Sequence, residues 1–466
     1  MSPILSKASW VLSGDIGARI AGFFITVYLA RTFDTGGYGI IVVSLSVLGI
    51  ALWFGDMGLN TLGTREVSRK PNHIYTVNQI FRAKLIMSCL AFFTTSIFIW
   101  TIFYDRFEMA LIVQLFLFAL FPHAITVEWF FNGLQKFKLI TFSRMLQASV
   151  YLILLYIFTT EDTLYRVPLF YAASLFLAAI FLLKGYTTQQ PLETLIKKAA
   201  SLKSLIADGF KIGLGSLFAQ FVILLPPLFA GYFLGSTQAG YYGAAFKIIL
   251  LVMLIDRVLT TLLLPNLSRA WKKSRETAVS HLNHLLRLAV VFSSCATLVL
   301  FFGAETFISF IFGETYRQSA VILPVLSFFL PATFANSIFS YSLISTGMDK
   351  QYLQGSAAGG LVTFFLLLFI SFIGNLSWIA FAVVISEISF MLFMFIKISK
   401  TATLRVQVPL LQVAVLIVMI MIIMIYFPNL PFAAIFILPF IYLLILGIMK
   451  LIEMDDLTWI SKRIFK

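Results

Sequence analysis

"ARTFDTGGYGI" runs from Ala30 to Ile40 and "LGSTQAGYYGA" from Leu234 to Ala244, each placed after an apolar run. Gly36, Tyr38 and Gly39 of the first match Gly240, Tyr242 and Gly243 of the second, every pair 204 positions apart. A hairpin written twice, almost half the chain apart, predicts an internal repeat. The runs between the copies must then be counted so that both hairpins lie on the same side of whatever surrounds the chain.

Composition names the surroundings. Of 466 residues, 60% are hydrophobic and 12% are charged, and the mean hydropathy is +0.97. A soluble domain carries about 25% charged residues, so this chain has too few to cover a water-facing surface and its solvent is mostly lipid. Lys7 is followed by an apolar stretch of spanning length, so no cleavable signal is expected and the first span acts as its own insertion signal. Cys89 and Cys295 are the only cysteines, both inside apolar runs, and imply no disulfide framework.

Apolar runs of about 17–25 residues predict fourteen spans. They lie near 10–30, 39–60, 80–103, 109–131, 139–159 and 167–186, then near 207–233, 241–265, 284–311, 319–345, 352–374, 377–397, 408–427 and 432–450. Charge checks the count. With the N-terminus in the cytoplasm, twenty-six of the 34 Lys and Arg residues fall on cytoplasmic segments or helix ends. Arg31, Arg106, Arg166 and Arg317 fall outside, and Arg19, Lys211, Lys247 and Arg257 fall within spans. One miscounted span would invert everything after it, so the positive-inside rule supports fourteen spans with both termini cytoplasmic. The formal charge of +14 is thereby read as topology, and no nucleic-acid partner is expected.

A second echo fits the repeat. "NGLQKFKLI" from Asn132 and "TGMDKQYLQ" from Thr346 align Gly133 with Gly347 and Lys136 with Lys350, now 214 apart. The ten extra residues are assigned to the long segment between Pro265 and Arg287. Six helices per copy is an even number, so the copies share orientation. The expected architecture is an all-α integral membrane protein with two six-helix lobes in parallel repeat. Residues 1–186 form the first lobe, 187–206 a cytoplasmic linker and 207–400 the second lobe. Residues 401–466 carry helices 13 and 14 and a cytoplasmic tail. Two lobes with almost nothing outside the membrane imply a machine that opens to alternate faces, with its substrate near the midplane between repeats.

Several chemistries are absent from the sequence. There is no GxxxxGK[ST] loop and no segment long enough for a nucleotide-binding domain, so ATP is not a partner. No HExxH, CxxC or acidic cluster appears, so neither catalytic residues nor a metal are expected. His281 and His284 lie in a polar cytoplasmic segment and read as solvated.

Charges inside apolar runs carry the functional signal, because each costs about 2.5–3.5 kcal/mol at a helix centre. Arg19 sits mid-span in "SGDIGARIAGF", with Asp15 four residues earlier on the same face. This is either a packing pair or a guanidinium facing a water-filled cavity, where its donor fork suits a phosphate. Lys247 is near enough to the outer end of the eighth span to snorkel. Arg257 lies further in, and the adjacent Asp256 points to another part of the helix surface. Lys211 and Asp208 read as an interfacial ion pair. Glu387, the midpoint of the twelfth span, is either a neutral hydrogen bonder or a coupling site for H+ or Na+, with Asp15 and Asp256 as the other cavity carboxylates. No other cofactor is expected. Pro226-Pro227 must break backbone hydrogen bonds in the seventh helix, giving a static kink or a hinge.

At these residues the chain resembles a known family. "YLARTFDTGGYGIIVVSLSVLGIALWFGDMGLNTLGTREVSR" is similar to the opening of polysaccharide-biosynthesis flippases of the multidrug/oligosaccharidyl-lipid/polysaccharide exporter superfamily. The matching features are Arg31, Gly37-Tyr38-Gly39, the turn Asp56-Met57-Gly58-Leu59 and Thr64-Arg65-Glu66. "EWFFNGLQKFK" from Glu128, including Gly133, looks like the family's stretch at the end of helix four. The resemblance implies a flippase that moves a polyprenyl-diphosphate-linked oligosaccharide (an O-antigen, capsule or exopolysaccharide unit) from inner to outer leaflet by alternating access. It also implies a V-shaped cavity lined with cations, and Arg19 occupies the position where members often carry a first-helix arginine. Arg19, Arg257 and Lys247 are then the groups expected to bind the diphosphate. A prokaryotic cell membrane, its lipid and other polysaccharide-assembly membrane proteins are the expected surroundings.

Two other readings compete. An ion-coupled drug or organic-cation antiporter of the same fold would use unpaired cavity carboxylates, which Glu387 favours and Arg19 opposes. A membrane polymerase or ligase would be expected to carry a substantial outer loop with charged catalytic residues, and the outer segments are only a handful of residues long.

Overall fold

The computed structural model describes residues 3–69, 74–189, 202–402, 409–427 and 431–452. Most of the expected linker (190–201) and tail (453–466) lie outside the described residues, as do Lys70, Lys197 and Lys198. The described residues are helical throughout, with short turns between.

In chain order the helices are α1 (Pro3–Thr32), α2 (Thr35–Asp56), α3 (Leu59–Arg69), α4 (Ile74–Ile102), α5 (Phe107–Leu117), α6 (Leu120–Ile125) and α7 (Glu128–Gly133). They continue as α8 (Phe137–Phe158), α9 (Arg166–Thr187), α10 (Lys203–Phe229), α11 (Ser236–Lys273), α12 (Arg275–Phe302) and α13 (Ala304–Phe312). The last are α14 (Ser319–Ser327), α15 (Phe329–Ser345), α16 (Asp349–Ser371), α17 (Leu376–Ala402), α18 (Leu410–Tyr426), α19 (Phe432–Ile435) and α20 (Leu438–Ile448). Ten of the described helical segments are long and apolar enough to cross a membrane, or eleven when the bent pair α14–α15 counts as one. The chain is a multi-pass membrane protein. Helix α4 shows its lipid-facing side as a stripe of exposed Ile86, Leu90, Phe93 and Ile97, spaced three or four apart. Helices α18 and α20 are short apolar helices, and they pack on α12 through Leu416, Ile420, Tyr442, Val291 and Leu298.

Local chemistry sets the helix ends. Asp34 caps α2 by accepting from Gly37 N at 2.7 Å. Ser274 caps α12 by accepting from Thr277 N at 3.1 Å. The 41° bend between α14 and α15 lies between Pro324 and Pro331. Pro331 has no N–H to offer the Ser327 carbonyl four residues back, and Thr297 Oγ1 donates to that carbonyl instead, at 3.0 Å. At Pro226-Pro227 the helix continues to Phe229 and then widens into a π-turn, Ala230–Leu234, before Gly235 at φ 99°.

The helices form two compact units, Met1–Gly240 and Tyr241–Lys466. Helix α10, assigned to the second lobe from the sequence, falls within the first unit, where glycines let it approach α2 and the turn after it. Gly58, at φ 79°, lies against Gly209 and Gly213, and the Trp53 indole donates to the Gly213 carbonyl at 3.0 Å. At the other end of α2, Gly39 lies against the Ser236 carbonyl, and Gly240 lies reciprocally against the Thr35 carbonyl.

That reciprocity revises the register of the repeat. It pairs Gly39 with Gly240 and Thr35 with Ser236, an offset of 201 where matching letters gave 204. The second echo shifts likewise. Gln135 (φ 56°) and Gly347 (φ 75°) share the left-handed conformation 212 positions apart. Lys136 N bonds Phe131 O as Met348 N bonds Leu343 O, and Gln135 N bonds Asn132 O as Gly347 N bonds Ile344 O. The extra residues also sit elsewhere than between Pro265 and Arg287. The starts of α2 and α4, and those of α11 and α12, are both 39 positions apart. From α4 to α5 the spacing is 33, and from α12 to α14 it is 44. The insertion is therefore the segment holding α13 and the short 3-10 turn Glu314–Tyr316.

Candidate functional site

Among the described residues, each unit holds a polar cluster within its apolar helices. In the first unit α1 supplies Asp15 and Arg19, whose Nε stands 3.8 Å from Asp15 Oδ2. Arg144, from α8, donates to Asp15 Oδ1 at 2.8 Å and to Glu128 Oε1 at 2.5 Å. The Arg19 side chain is the more open of the two guanidinium groups, 51% exposed against 36%. Glu128 begins α7, after Thr126 turns extended (ψ 126°) and ends α6. At that break Lys84 of α4, 1% exposed, reaches two carbonyls, Thr126 O and His123 O, each at 3.4 Å, the latter also accepting from Thr126 N at 3.3 Å. Its shortest bond goes to Asn60 Oδ1, 2.9 Å away. Lys84 also feels the charges of Asp56 and Glu128. Three cations and three carboxylates thus share this region.

In the second unit the cluster is organised by one face of α15. Thr333, Asn336, Ser337, Ser340 and Tyr341 recur at steps of three, one, three and one, the spacing of a helical stripe. Asn336 Nδ2 donates to Glu387 Oε1 of α17 at 2.8 Å, with Glu387 1% exposed. Ser337 Oγ donates to Asp256 Oδ1 of α11 at 2.6 Å. One turn on, the exposed Arg257 donates to the Tyr341 hydroxyl at 2.8 Å. The stripe therefore links Glu387, Asp256 and Arg257 through one helix. An arginine backed by a phenol can bind an anion, while carboxylates ringed by hydroxyls and an amide can take a proton or a monovalent cation. Among the described residues no three His, Cys, Asp or Glu side chains converge as a metal site.

Against the sequence expectations, Asp15 and Arg19 meet, and so do Asp256, Arg257 and Glu387 through α15. Lys247 does not join Arg257: it lies half-buried ten residues earlier on α11, about 15 Å along a helix at 1.5 Å per residue. Lys211 Nζ and Asp208 Oδ1 pair at 3.2 Å, both exposed. His281 corrects the expectation of a solvated residue, being 9% exposed in α12, and His284 Nδ1 lies 3.2 Å from Arg287 Nη2. The residues of the family resemblance do structural work. Asp56 accepts from Asn60 N at 3.2 Å and so starts α3. Gly37 donates to the α2 cap, and Tyr38 is buried at 3%. A Cβ on Gly133 would lie 2.7 Å from Val67. Arg31 is exposed. Lys84, Arg144 and the α15 stripe were missed. Both cations lie a few residues inside their spans and were counted with the cytoplasmic helix ends; serines and threonines in membrane helices give no signal alone.

Comparison with known proteins adds to this geometry. A sequence model of a family described as "Polysaccharide biosynthesis protein" matches residues 4–271. A protein of Escherichia coli named "Putative O-antigen transporter" is 22% identical over 352 residues, which is 73% of this chain and 83% of that one. Among solved structures, the lipid II flippase MurJ in an inward closed conformation is similar, with TM-score 0.67, 14% identity, and 93% of this chain and 97% of that one covered. An inward-facing multidrug resistance MATE family transporter of the MOP superfamily gives TM-score 0.66 and 12% identity, covering 83% and 94%. At these identities the two structures speak for the fold alone.

Proposed function

Because the chain belongs to the polysaccharide biosynthesis protein family, we propose that it is a flippase. It moves a polyprenyl-diphosphate-linked oligosaccharide from the inner to the outer leaflet of the cell membrane by alternating access, and it catalyses no covalent chemistry. The family match and the name of the Escherichia coli relative support the substrate class. Arg19 carries the reading most directly: it is a half-exposed guanidinium inside a membrane helix, held to Asp15 only at 3.8 Å through Nε, and so has donors to offer an anionic partner. In this reading Arg19 and Arg257 bind the diphosphate, with Lys247 serving sugar or phosphate groups further out. Glu387 and Asp256 carry the coupling ion, H+ or Na+. Fourteen spans, two six-helix lobes, cytoplasmic termini and a hinge at Pro226-Pro227 complete the proposed machine. Membrane lipid and other polysaccharide-assembly membrane proteins are its proposed partners.

The test is transbilayer movement of a fluorescent polyprenyl-diphosphate oligosaccharide in proteoliposomes, comparing wild type with Arg19→Gln. Wild type should transport, and the variant should lose most of that activity while remaining folded. A drug or organic-cation antiporter is the second reading, favoured by the buried Glu387 carboxylate. It gains if wild type moves cationic drugs and no lipid-linked sugar.

A further inference from the structure

Asp15 has two arginine neighbours, and they do not hold it equally. Arg144 Nη1 is at 2.8 Å from Asp15 Oδ1, whereas Arg19 Nε is at 3.8 Å from Asp15 Oδ2. The second terminal nitrogen of Arg144 is on Glu128, so its donor fork is occupied by two carboxylates from two different helices. Arg19 engages Asp15 through Nε, the nitrogen at the base of its fork, and both terminal nitrogens are left out of that pair.

We infer that Arg144 is a positioning residue for the anion site: by holding Asp15 and Glu128 it keeps the Arg19 fork open for the diphosphate. The inference rests on the flippase reading above. Asp15 precedes Arg19 by four residues, the favoured orientation for a helical ion pair. Released from Arg144, Asp15 would close on Arg19 as a bidentate pair. The cluster would also lose one positive charge beside an incoming diphosphate. Both effects weaken anion binding more than the movement that follows it, so the loss should appear in KM.

The experiment measures KM and Vmax for the full chain in proteoliposomes with the fluorescent polyprenyl-diphosphate oligosaccharide. Arg144→Gln should raise KM about tenfold, the effect of one misplaced charge at partial exposure, with Vmax changed far less. Adding Asp15→Asn to Arg144→Gln removes the carboxylate that closes on Arg19 and should return KM to within about threefold of wild type. A double variant as poor as Arg144→Gln overturns the inference, because a packing role or a direct substrate contact would not be rescued in this way. If Arg144→Gln does not fold, Asp15→Asn alone decides: it should lower KM about threefold, and a KM at or above wild type overturns the inference. Transport by wild type that Arg144→Gln leaves at the same KM sinks this inference alone. No transport by wild type sinks the flippase reading and this inference with it.

Discussion

Gly58→Ala separates two costs that a glycine can hide. Gly58 has φ 79°, and an added Cβ would stand 2.7 Å from Gly213 N and closer still to the Gly209 carbonyl oxygen. Gly347 has nearly the same φ, 75°, with nothing within 4 Å of an added Cβ. Placing alanine in the left-handed region costs about 1–2 kcal/mol at either site. Overpacking against backbone that cannot turn aside adds about 1–3 kcal/mol at Gly58 only. The expected losses are therefore about 1–2 kcal/mol for Gly347→Ala and about 2–5 kcal/mol for Gly58→Ala. The assay is unfolding of each purified variant in detergent, followed by tryptophan fluorescence, with denaturation midpoints compared at equal protein concentration. Trp53 bonds Gly213 and so reports on this contact itself. Equal losses at the two positions would refute the reasoning, since they would mean that α10 does not press on the Gly58 turn. Gly213→Ala, whose Cβ would meet Gly58 N at 2.8 Å, probes the same contact from the other side without left-handed strain and should cost only the overpacking part, about 1–3 kcal/mol.

Three further outcomes are expected. Thr297→Val leaves the Ser327 carbonyl without its side-chain donor and should cost about 1–2 kcal/mol in the same unfolding assay; Pro331→Ala in that background restores a backbone N–H and should recover most of it. Lys84→Met keeps the volume but strips Asp56 and Glu128 of their buried counter-charge, so about 3–5 kcal/mol should be lost, seen as a poor yield of monodisperse protein; a normal yield and midpoint would show that Lys84 is not needed as a charge. Glu387→Gln retains an oxygen to accept from Asn336, so the protein should fold normally while its transport stops responding to an imposed proton or sodium gradient. An unchanged gradient response would remove Glu387 from the coupling role.

The membrane character and most long helices could be read from the sequence because lipid demands continuous apolar runs of a set length; ten or eleven of the fourteen expected spans qualify among the described residues, and the expected span 109–131 is broken into α5, α6 and α7. The repeat was visible too, but in the wrong register. Letters matched Gly133 with Gly347, whereas the backbone matches Gln135 with Gly347, since the turn requires a left-handed residue and accepts either side chain there. Charges at span centres, such as Arg19 and Glu387, stood out against their neighbours. Lys84 and Arg144 did not, because basic residues near helix ends are ordinary and only the folded chain shows Lys84 fully buried. The α15 stripe was hidden for another reason. Hydroxyls commonly bond back to their own helix, as Ser342 does to Ile338 O, so only contact with Asp256 and Glu387 distinguishes Ser337 and Asn336 from that background.

The hairpin that opens the sequence was written twice because each copy is the surface the other packs on. Gly39 meets the carbonyl of Ser236 while Gly240 meets the carbonyl of Thr35, so the same patch serves on both sides. Between separate identical molecules that pattern would be an isologous dimer contact, and two such molecules would need a large shared area, about 1,200–2,000 Å² in total, to stay together. Tethered in one chain, the two hairpins never pay the translational and rotational cost of meeting. Their effective concentration is set by the intervening helices and is independent of how much protein a cell makes. A contact of a few backbone atoms is then sufficient, and it can be perturbed on one side at a time, which no true homodimer allows.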